Sequence, residues 1–303
     1  MSNVLVTGGA GFIGSNIVEA LVDRGDDVTV LDNFHTGTRE NLEKVIDEIE
    51  LVEAPCKKIP DYDFGDLDKI FHIGIPSSSP MYRENHLLVG EAINEFIKVL
   101  ELAREKDAKM VYASSSSMYG RCEPPHSEDM EVAAFDYYTE ARLAMERIAK
   151  VHNEFYNVES IGLRFFSVYG PHEQAKGKYA NIITQFYWKM KKDEKSLIFG
   201  DGTQTRDFTH VSDIVQAALK AADSNHEYEI INVGTGKETT FNKVVEMLNE
   251  KLDKSIKPEY QENPIKNYIE RTHADISKAK KLLDYKPTIS LEEGIEQMIQ
   301  REN

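Results

Sequence analysis

Short apolar runs alternate with amphipathic stretches along the first half of the chain. Val4–Thr7, Asp27–Leu31, Ile70–Ile75, Met110–Ser114 and Ser160–Phe165 read as strands. Helical spacing fills the intervals. Ser15–Arg24 sets Ile17, Val18 and Leu21 on one side, and Leu87–Glu105 and Tyr138–Phe155 follow. Strands alternating with helices imply parallel βαβ units and a doubly wound α/β sheet. The second half is less regular. Tyr169-Gly170-Pro171 and Gly200-Asp201-Gly202 are turn signals, helices are predicted over Asn181–Lys191, Val211–Ala222 and Phe241–Leu252, and Ile230–Val233 reads as a strand. Such interleaving points to a smaller lobe at the carboxyl edge of the main sheet, where open α/β sheets bind ligands.

Composition narrows the partners. The 303 residues carry a formal charge of −16, which disfavours nucleic acid and anionic membrane. It leaves room for an anionic small ligand in a local basic pocket. Cys56 and Cys122 lack metal-like spacing and form no disulfide framework, so no metal site is expected and a reducing compartment is. Asn3-Val4-Leu5-Val6 runs directly into a glycine motif without a basic leader, and no apolar stretch reaches membrane-spanning length. A cytoplasmic location is the expectation.

Thr7-Gly8-Gly9-Ala10-Gly11-Phe12-Ile13-Gly14 follows a strand and opens a helix. Small residues there let the backbone approach a pyrophosphate, and the helix N-terminus offers N–H groups and a positive dipole. Asp32 closes the next strand at the spacing of a ribose-binding acid, with Asn33 beside it. A carboxylate at that place accepts ribose hydroxyls and repels a 2′-phosphate, so NAD is expected over NADP.

Ser114-Ser115-Ser116-Ser117-Met118-Tyr119-Gly120 follows the fourth apolar run. Tyr138 comes some twenty residues later, with Arg142 one helical turn beyond, so both face one way. A phenol is a poor base at its ordinary pKa of about 10, and a fixed neighbouring cation favours its phenolate.

These motifs together resemble the extended short-chain dehydrogenase/reductases of the NAD-dependent epimerase/dehydratase kind, with UDP-glucose 4-epimerases as the nearest members. The likeness continues through Leu163-Arg164-Phe165-Phe166-Ser167-Val168-Tyr169-Gly170-Pro171, Gly202-Thr203-Gln204-Thr205-Arg206-Asp207-Phe208, Asn232-Val233-Gly234-Thr235-Gly236 and Ala274-Asp275-Ile276-Ser277. It spans nearly the whole chain in order. The resemblance implies a Rossmann-type NAD-binding domain over 1–165, with 209–233 returning to it, and a nucleotide-sugar-binding lobe over 166–208 and 234–303. It makes Tyr138 the catalytic base and Ser115 the hydroxyl that hydrogen-bonds the reacting group. Position 142 is lysine in the family pattern, where it binds the nicotinamide ribose, and arginine here, a planar and always charged substitute. Gly8, Gly11, Phe12, Ile13, Gly14, Asp32, Asn33, Tyr138 and Arg142 form the implied cofactor set.

Other positions depart from the pattern. The acidic-aliphatic pair that touches adenine reads Pro55-Cys56, His-Leu-Ala-Ala reads His72-Ile73-Gly74-Ile75, and a substrate-side asparagine reads Ser167. His72 is read as a structural strand residue and Ser77-Ser78-Ser79-Pro80 as a loop. On the substrate side the resemblance implies Arg206 and Asn181 for the diphosphate, with Asp207 as the rival partner of Arg206. Phe166 and Ser167 fall on the segment lining the sugar pocket, Lys266 stands in for a phosphate-binding arginine, and Thr272 leaves room for an N-acetyl group. The implied reaction is inversion at C4 of a UDP-sugar through a transient 4-keto sugar. Dehydratases and decarboxylases of this kind carry an acid after the catalytic Ser/Thr, where this chain has Ser116 and Ser117. The alternatives are another sugar-nucleotide-modifying enzyme, such as a reductase or dehydratase, and a weakly active protein that binds NAD and a nucleotide sugar. A homodimer paired through Leu87–Glu105 and Tyr138–Phe155 is also implied.

Overall fold

The computed structural model describes residues 1–301; residues 302 and 303, the end of the expected C-terminal lobe, lie outside the described residues. In chain order the first elements are β1 (Asn3–Thr7), α1 (Phe12–Asp23), β2 (Asp27–Asp32), β3 (Ile49–Glu53), β4 (Lys69–His72), α2 (Ser79–Glu84), α3 (Leu88–Lys106), β5 (Lys109–Ser115), α4 (Tyr137–Tyr156) and β6 (Ser160–Phe165). The chain continues through β7 (Val168–Tyr169), α5 (Ile182–Lys191), β8 (Leu197–Phe199), β9 (Thr205–Arg206), β10 (Thr209–His210), α6 (Val211–Ala222) and β11 (Tyr228–Val233). It closes with β12 (Thr239–Thr240), α7 (Phe241–Leu252), β13 (Glu259–Gln261), α8 (Ser277–Leu283) and α9 (Leu291–Arg301).

Seven strands form one parallel sheet in the order β11-β6-β5-β4-β1-β2-β3. The order reverses between β1 and β4, the switch point where a doubly wound sheet opens a ligand crevice. Helices α1 and α6 pack together on one face, and α3 and α4 on the other. The central strands are apolar on both sides, as two covered faces require: every residue of β5 and β6 is buried. A second apolar cluster, including Tyr169, Phe186, Tyr187, Phe208, Phe241 and Leu248, lies among α5, α7 and α9. Three two-stranded pairings, β10 with β7, β12 with β9 and β13 with β8, complete the architecture.

Several boundaries differ from the sequence expectation. Helix α1 begins at Phe12, three residues before Ser15, so the last glycine of the loop is already helical. Strand β4 ends at His72, because beyond it Gly74 passes under the glycine loop. Edge strand β3, Ile-Glu-Leu-Val-Glu, has no buried residue: Ile49, Leu51 and Val52 are partly covered and Glu50 and Glu53 are exposed. Ser79 and Pro80 open α2, with Pro at a first-turn position where its missing N–H costs nothing.

His72 is fully buried on β4, with Nδ1 2.7 Å from Thr7 Oγ1. Burial, and then the Arg142 guanidinium, push its pKa from 6.5 down to about 3. Between those values the unfolded chain binds a proton that the folded chain refuses, so stability falls as pH drops from 6.5 towards 3. In chemical denaturation across that window, a His72→Gln variant is expected to show a shallower pH slope than the unmodified chain, whatever its absolute stability. An unchanged slope would assign the acid sensitivity elsewhere.

Candidate active site

A cavity of about 530 Å³ opens at the carboxyl edge of the sheet. Its floor is the turn from β1 into α1. Gly8 has φ +69, and a Cβ there would sit 2.5 Å from the backbone of Gly74. A Cβ on Gly14 would sit 2.0 Å from the Gly8 carbonyl oxygen. Backbone therefore crosses backbone at two places where no larger residue fits. Gly11 is the N-cap of α1 and brings no side chain to the first-turn N–H groups, which leaves those of Phe12 and Ile13 open to an anion. Gly8, Gly11, Phe12, Ile13 and Gly14 all lie on the cavity wall.

Asp32 ends β2 on the same wall. Its Oδ2 accepts the Ala10 N–H at 2.9 Å and its Oδ1 accepts the Phe34 N–H at 2.7 Å. Burial raises its pKa, and the backbone donors oppose that rise. Each oxygen keeps a lone pair for a vicinal diol. Asn33 lies beside it on the wall, with Oδ1 taking the His35 N–H at 3.1 Å. An anion-ready helix end, a cradle that excludes Cβ atoms and a diol-accepting carboxylate fit the pyrophosphate and ribose of NAD.

Opposite stand the serine run and Tyr138. Strand β5 delivers Ser114 and Ser115 to the cavity. Ser115 Oγ accepts the Ser117 N–H at 3.1 Å, which leaves its own proton to donate. Helix α4 is started by a capping box in which Asp136 and Thr139 bind each other's backbone. That fixed start places Tyr138, 7% exposed, with its ring edge-on to Tyr82 at 5.5 Å. Arg142, one turn on, holds its guanidinium 5.0 Å from the Tyr138 ring centroid. It donates to the Ala113 carbonyl at 3.1 Å and the Pro76 carbonyl at 2.9 Å, and its Nε has no protein partner. The cation is thus pinned beside the phenol by backbone from two different segments. Ser115, Tyr138 and Arg142 share one wall.

On the remaining side are Ser167, Asn181, Arg206 and Thr272. Ser167 turns the chain with φ +24. Asn181 caps α5 through the Ile183 N–H and donates to the Val168 carbonyl. Arg206 lies between the rings of Phe241 and Tyr268, each 5.4 Å away. Among the described residues it has no ion pair. Its rival partner is occupied, since Asp207 accepts from the N–H groups of Thr235, Gly236 and Ala274 and from the Thr235 hydroxyl. Burial presses on the charged form of Arg206. An unneutralised guanidinium on a cavity wall suits an anionic ligand.

Two expected substrate residues are not on the wall. Phe166 is fully buried and stacks near Tyr119 and His126, while Phe165 and Ser167 on either side reach the cavity. Lys266 is exposed in an irregular segment. Sequence reasoning missed Lys176, which reaches the wall from a short 3-10 helix (Gln174–Tyr179) with Nζ 5.3 Å from the Phe12 ring centroid, and Tyr82 behind Tyr138. Neither carries a spacing signal. Among the described residues no group of His, Cys, Asp and Glu could hold a metal, and no helix is long and apolar enough to cross a membrane.

Comparison with known proteins fits this geometry. Residues 4–234 match the model of the NAD dependent epimerase/dehydratase family. A Methanocaldococcus jannaschii protein named "Putative UDP-glucose 4-epimerase" is 36% identical over 98% of this chain and 97% of its own length. UDP-glucuronic acid decarboxylase 1 of Arabidopsis thaliana is 30% identical over 98% of this chain and 68% of its own. The solved UDP-N-acetylglucosamine 4-epimerase of Methanobrevibacter ruminantium superposes with a TM-score of 0.92 at 30% identity, covering 99% of this chain and 97% of that one. The chain belongs to the NAD dependent epimerase/dehydratase family. Its cofactor is NAD.

Replacing Asp32 by Ala removes both diol acceptors. Equilibrium titration is expected to show NAD binding weakened by ~10-fold or more, the scale of hydrogen bonds to a charged group, and the preference for NAD over NADP reduced. Undiminished NAD affinity would place the ribose elsewhere.

Proposed function

We propose that this NAD-dependent, nucleotide-sugar-modifying enzyme is a 4-epimerase of UDP-hexoses or their N-acetylated equivalents. The observation that carries the reading is the pairing of the Tyr138 phenol and the Ser115 hydroxyl on one wall, with the Arg142 guanidinium held 5.0 Å from the phenol ring. Bound NAD supplies a hydride acceptor and donor for the sugar carbon. Tyr138 takes the proton of the 4-hydroxyl and later returns one. Ser115 donates a hydrogen bond to the same oxygen. Arg142 places a fixed positive charge beside the phenol ring. Arg206 and Asn181 receive the diphosphate, and Ser167 and Thr272 border the sugar. In this assignment 1–165 with 209–233 hold the cofactor, and 166–208 with 234–303 hold the nucleotide sugar.

The family relatives include both 4-epimerases and decarboxylases. Ser116 and Ser117 favour the first, because neither can act as the acid or base that later proton steps of elimination or decarboxylation need. A panel of UDP-hexoses, UDP-N-acetylhexosamines and UDP-uronic acids, incubated with NAD and separated by chromatography, tests the reading. Conversion between 4-epimers is expected, with a loss of ~10²–10⁴-fold in Tyr138→Phe at retained NAD binding. Arg142→Lys is expected to keep activity. Release of carbon dioxide from a uronic acid would replace the reading with decarboxylation. Nucleotide-sugar binding without turnover, regained in Arg142→Lys, would make the chain a disabled relative.

We also propose a homodimer. Val151, Phe155 and Tyr156 are 47%, 73% and 56% exposed on the outer side of α4, with Leu87 at 75% just before α3. Apolar exposure along α4 and at the entry to the neighbouring α3 suits helix-to-helix pairing between copies. Light scattering after size exclusion is expected to give twice the chain mass, and the chain mass for a Val151→Asp, Phe155→Asp double variant. A monomer in the unmodified chain would sink the proposal.

A further inference from the structure

The part of the cavity beyond Asp32 has a polar group that the chemistry above does not use. Its walls are Ala54, Pro55 and Cys56 after β3, and Glu91, Ala92 and Glu95 on α3. Ala54, Cys56 and Ala92 are buried, and burial followed by the Glu95 carboxylate pushes the Cys56 thiol up to about 12, so it acts here as an apolar surface. Of the two carboxylates Glu91 is exposed, and Glu95 is the one this lining covers. It is half-buried, and burial raises its pKa while the Lys57 N–H favours the charged form. It forms no ion pair among the described residues, and the nearby Lys98 ammonium donates instead to the Lys57 carbonyl at 2.7 Å. The Lys57 N–H fills only part of its acceptor capacity, and a partly desolvated carboxylate is costly to leave short of donors.

Resting on NAD as the cofactor, we infer that Glu95 accepts a hydrogen bond from the exocyclic 6-amino group of its adenine. With the pyrophosphate at the start of α1 and the ribose on Asp32, the base extends towards the end of β3. There the small side chains of Ala54, Pro55, Cys56 and Ala92 suit its apolar faces. Adenine presents one exocyclic amino group, and Glu95 is the more buried of the two carboxylates, with Glu91, that α3 brings to this wall. Pro55 has no donor and no acidic side chain to offer. The acceptor therefore comes from helix α3 and not from the loop after β3.

A site built to accept from an amino group rejects an analogue carrying a carbonyl there, because two acceptors then face each other. The full chain, freed of copurified dinucleotide, would be titrated with NAD and with nicotinamide hypoxanthine dinucleotide, which differs in having a 6-oxo group. The unmodified chain is expected to bind the hypoxanthine compound ~10-fold or more weakly. Glu95→Gln, whose amide can either accept or donate, is expected to bring the two within ~3-fold. Glu95→Ala, with no group to clash, is expected to lose the discrimination as well. Equal affinities in the unmodified chain would overturn the inference. So would an unchanged preference in both variants, or equal weakening of both dinucleotides. Absence of binding to either dinucleotide by the unmodified chain would instead refute the cofactor itself.

Discussion

The forked ion pair between Arg164 on β6 and Glu146 on α4 holds that helix to the sheet. Arg164 Nε reaches Glu146 Oε1 at 2.9 Å, and its second arm reaches Oε2 at 2.7 Å, with both residues buried. The ends of neighbouring strands join in. Ser114 at the end of β5 donates to Glu146, while Arg164 also donates to the Tyr119 hydroxyl, which in turn donates to Asn232 on β11. Removing either charge would leave the other unpaired in the core, a loss of ~3–5 kcal/mol. The network sets both the rotation and the axial position of α4. Tyr138 and Arg142, two turns and one turn before Glu146, follow from that setting. Site geometry here is a property of a buried salt bridge that touches no ligand.

The arginine in place of a lysine gains a physical account from its partners. An ammonium is a compact point charge, whereas a guanidinium offers several donors in a plane. Arg142 uses two of them on the carbonyls of Ala113 and Pro76, which brackets the head between a strand and the loop after β4. The planar head fits because strand and loop each supply a carbonyl to one of its arms. Charge beside the phenol is kept, and its position is fixed by backbone.

Much of the site was legible because its signals are local. The glycine loop, Asp32 one βαβ step later, and Tyr138 with Arg142 at helical spacing each express one element's geometry in consecutive residues. The resemblance then ordered these pieces along the chain. What was missed depends on how distant segments meet. Phe166 and Ser167 are adjacent, and only the positive φ at Ser167 decides which of them faces the cavity. Lys176, in a short 3-10 helix, and Lys266, in a turn, both lie outside any periodic segment, yet one reaches the wall and the other stays in solvent. Glu95 is an ordinary polar position on an amphipathic helix until the loop after β3 is packed against it. The early end of β4 likewise follows from Gly74 meeting Gly8, sixty-six positions earlier, and not from its own neighbours.

The clasp at Asp207 has a consequence for the order in which the site is built. One buried carboxylate gathers donors from positions 28, 29 and 67 residues away, whereas Asp32 meets Ala10 across only 22. Closing longer loops costs more chain entropy, though the cost rises slowly with length. The Arg206 side of the cavity is therefore complete only after the last quarter of the chain has docked. During synthesis from the N-terminus, the strands and turns around Asp32 can assemble first, and a nascent chain would acquire its dinucleotide cradle before it has a place for the second ligand.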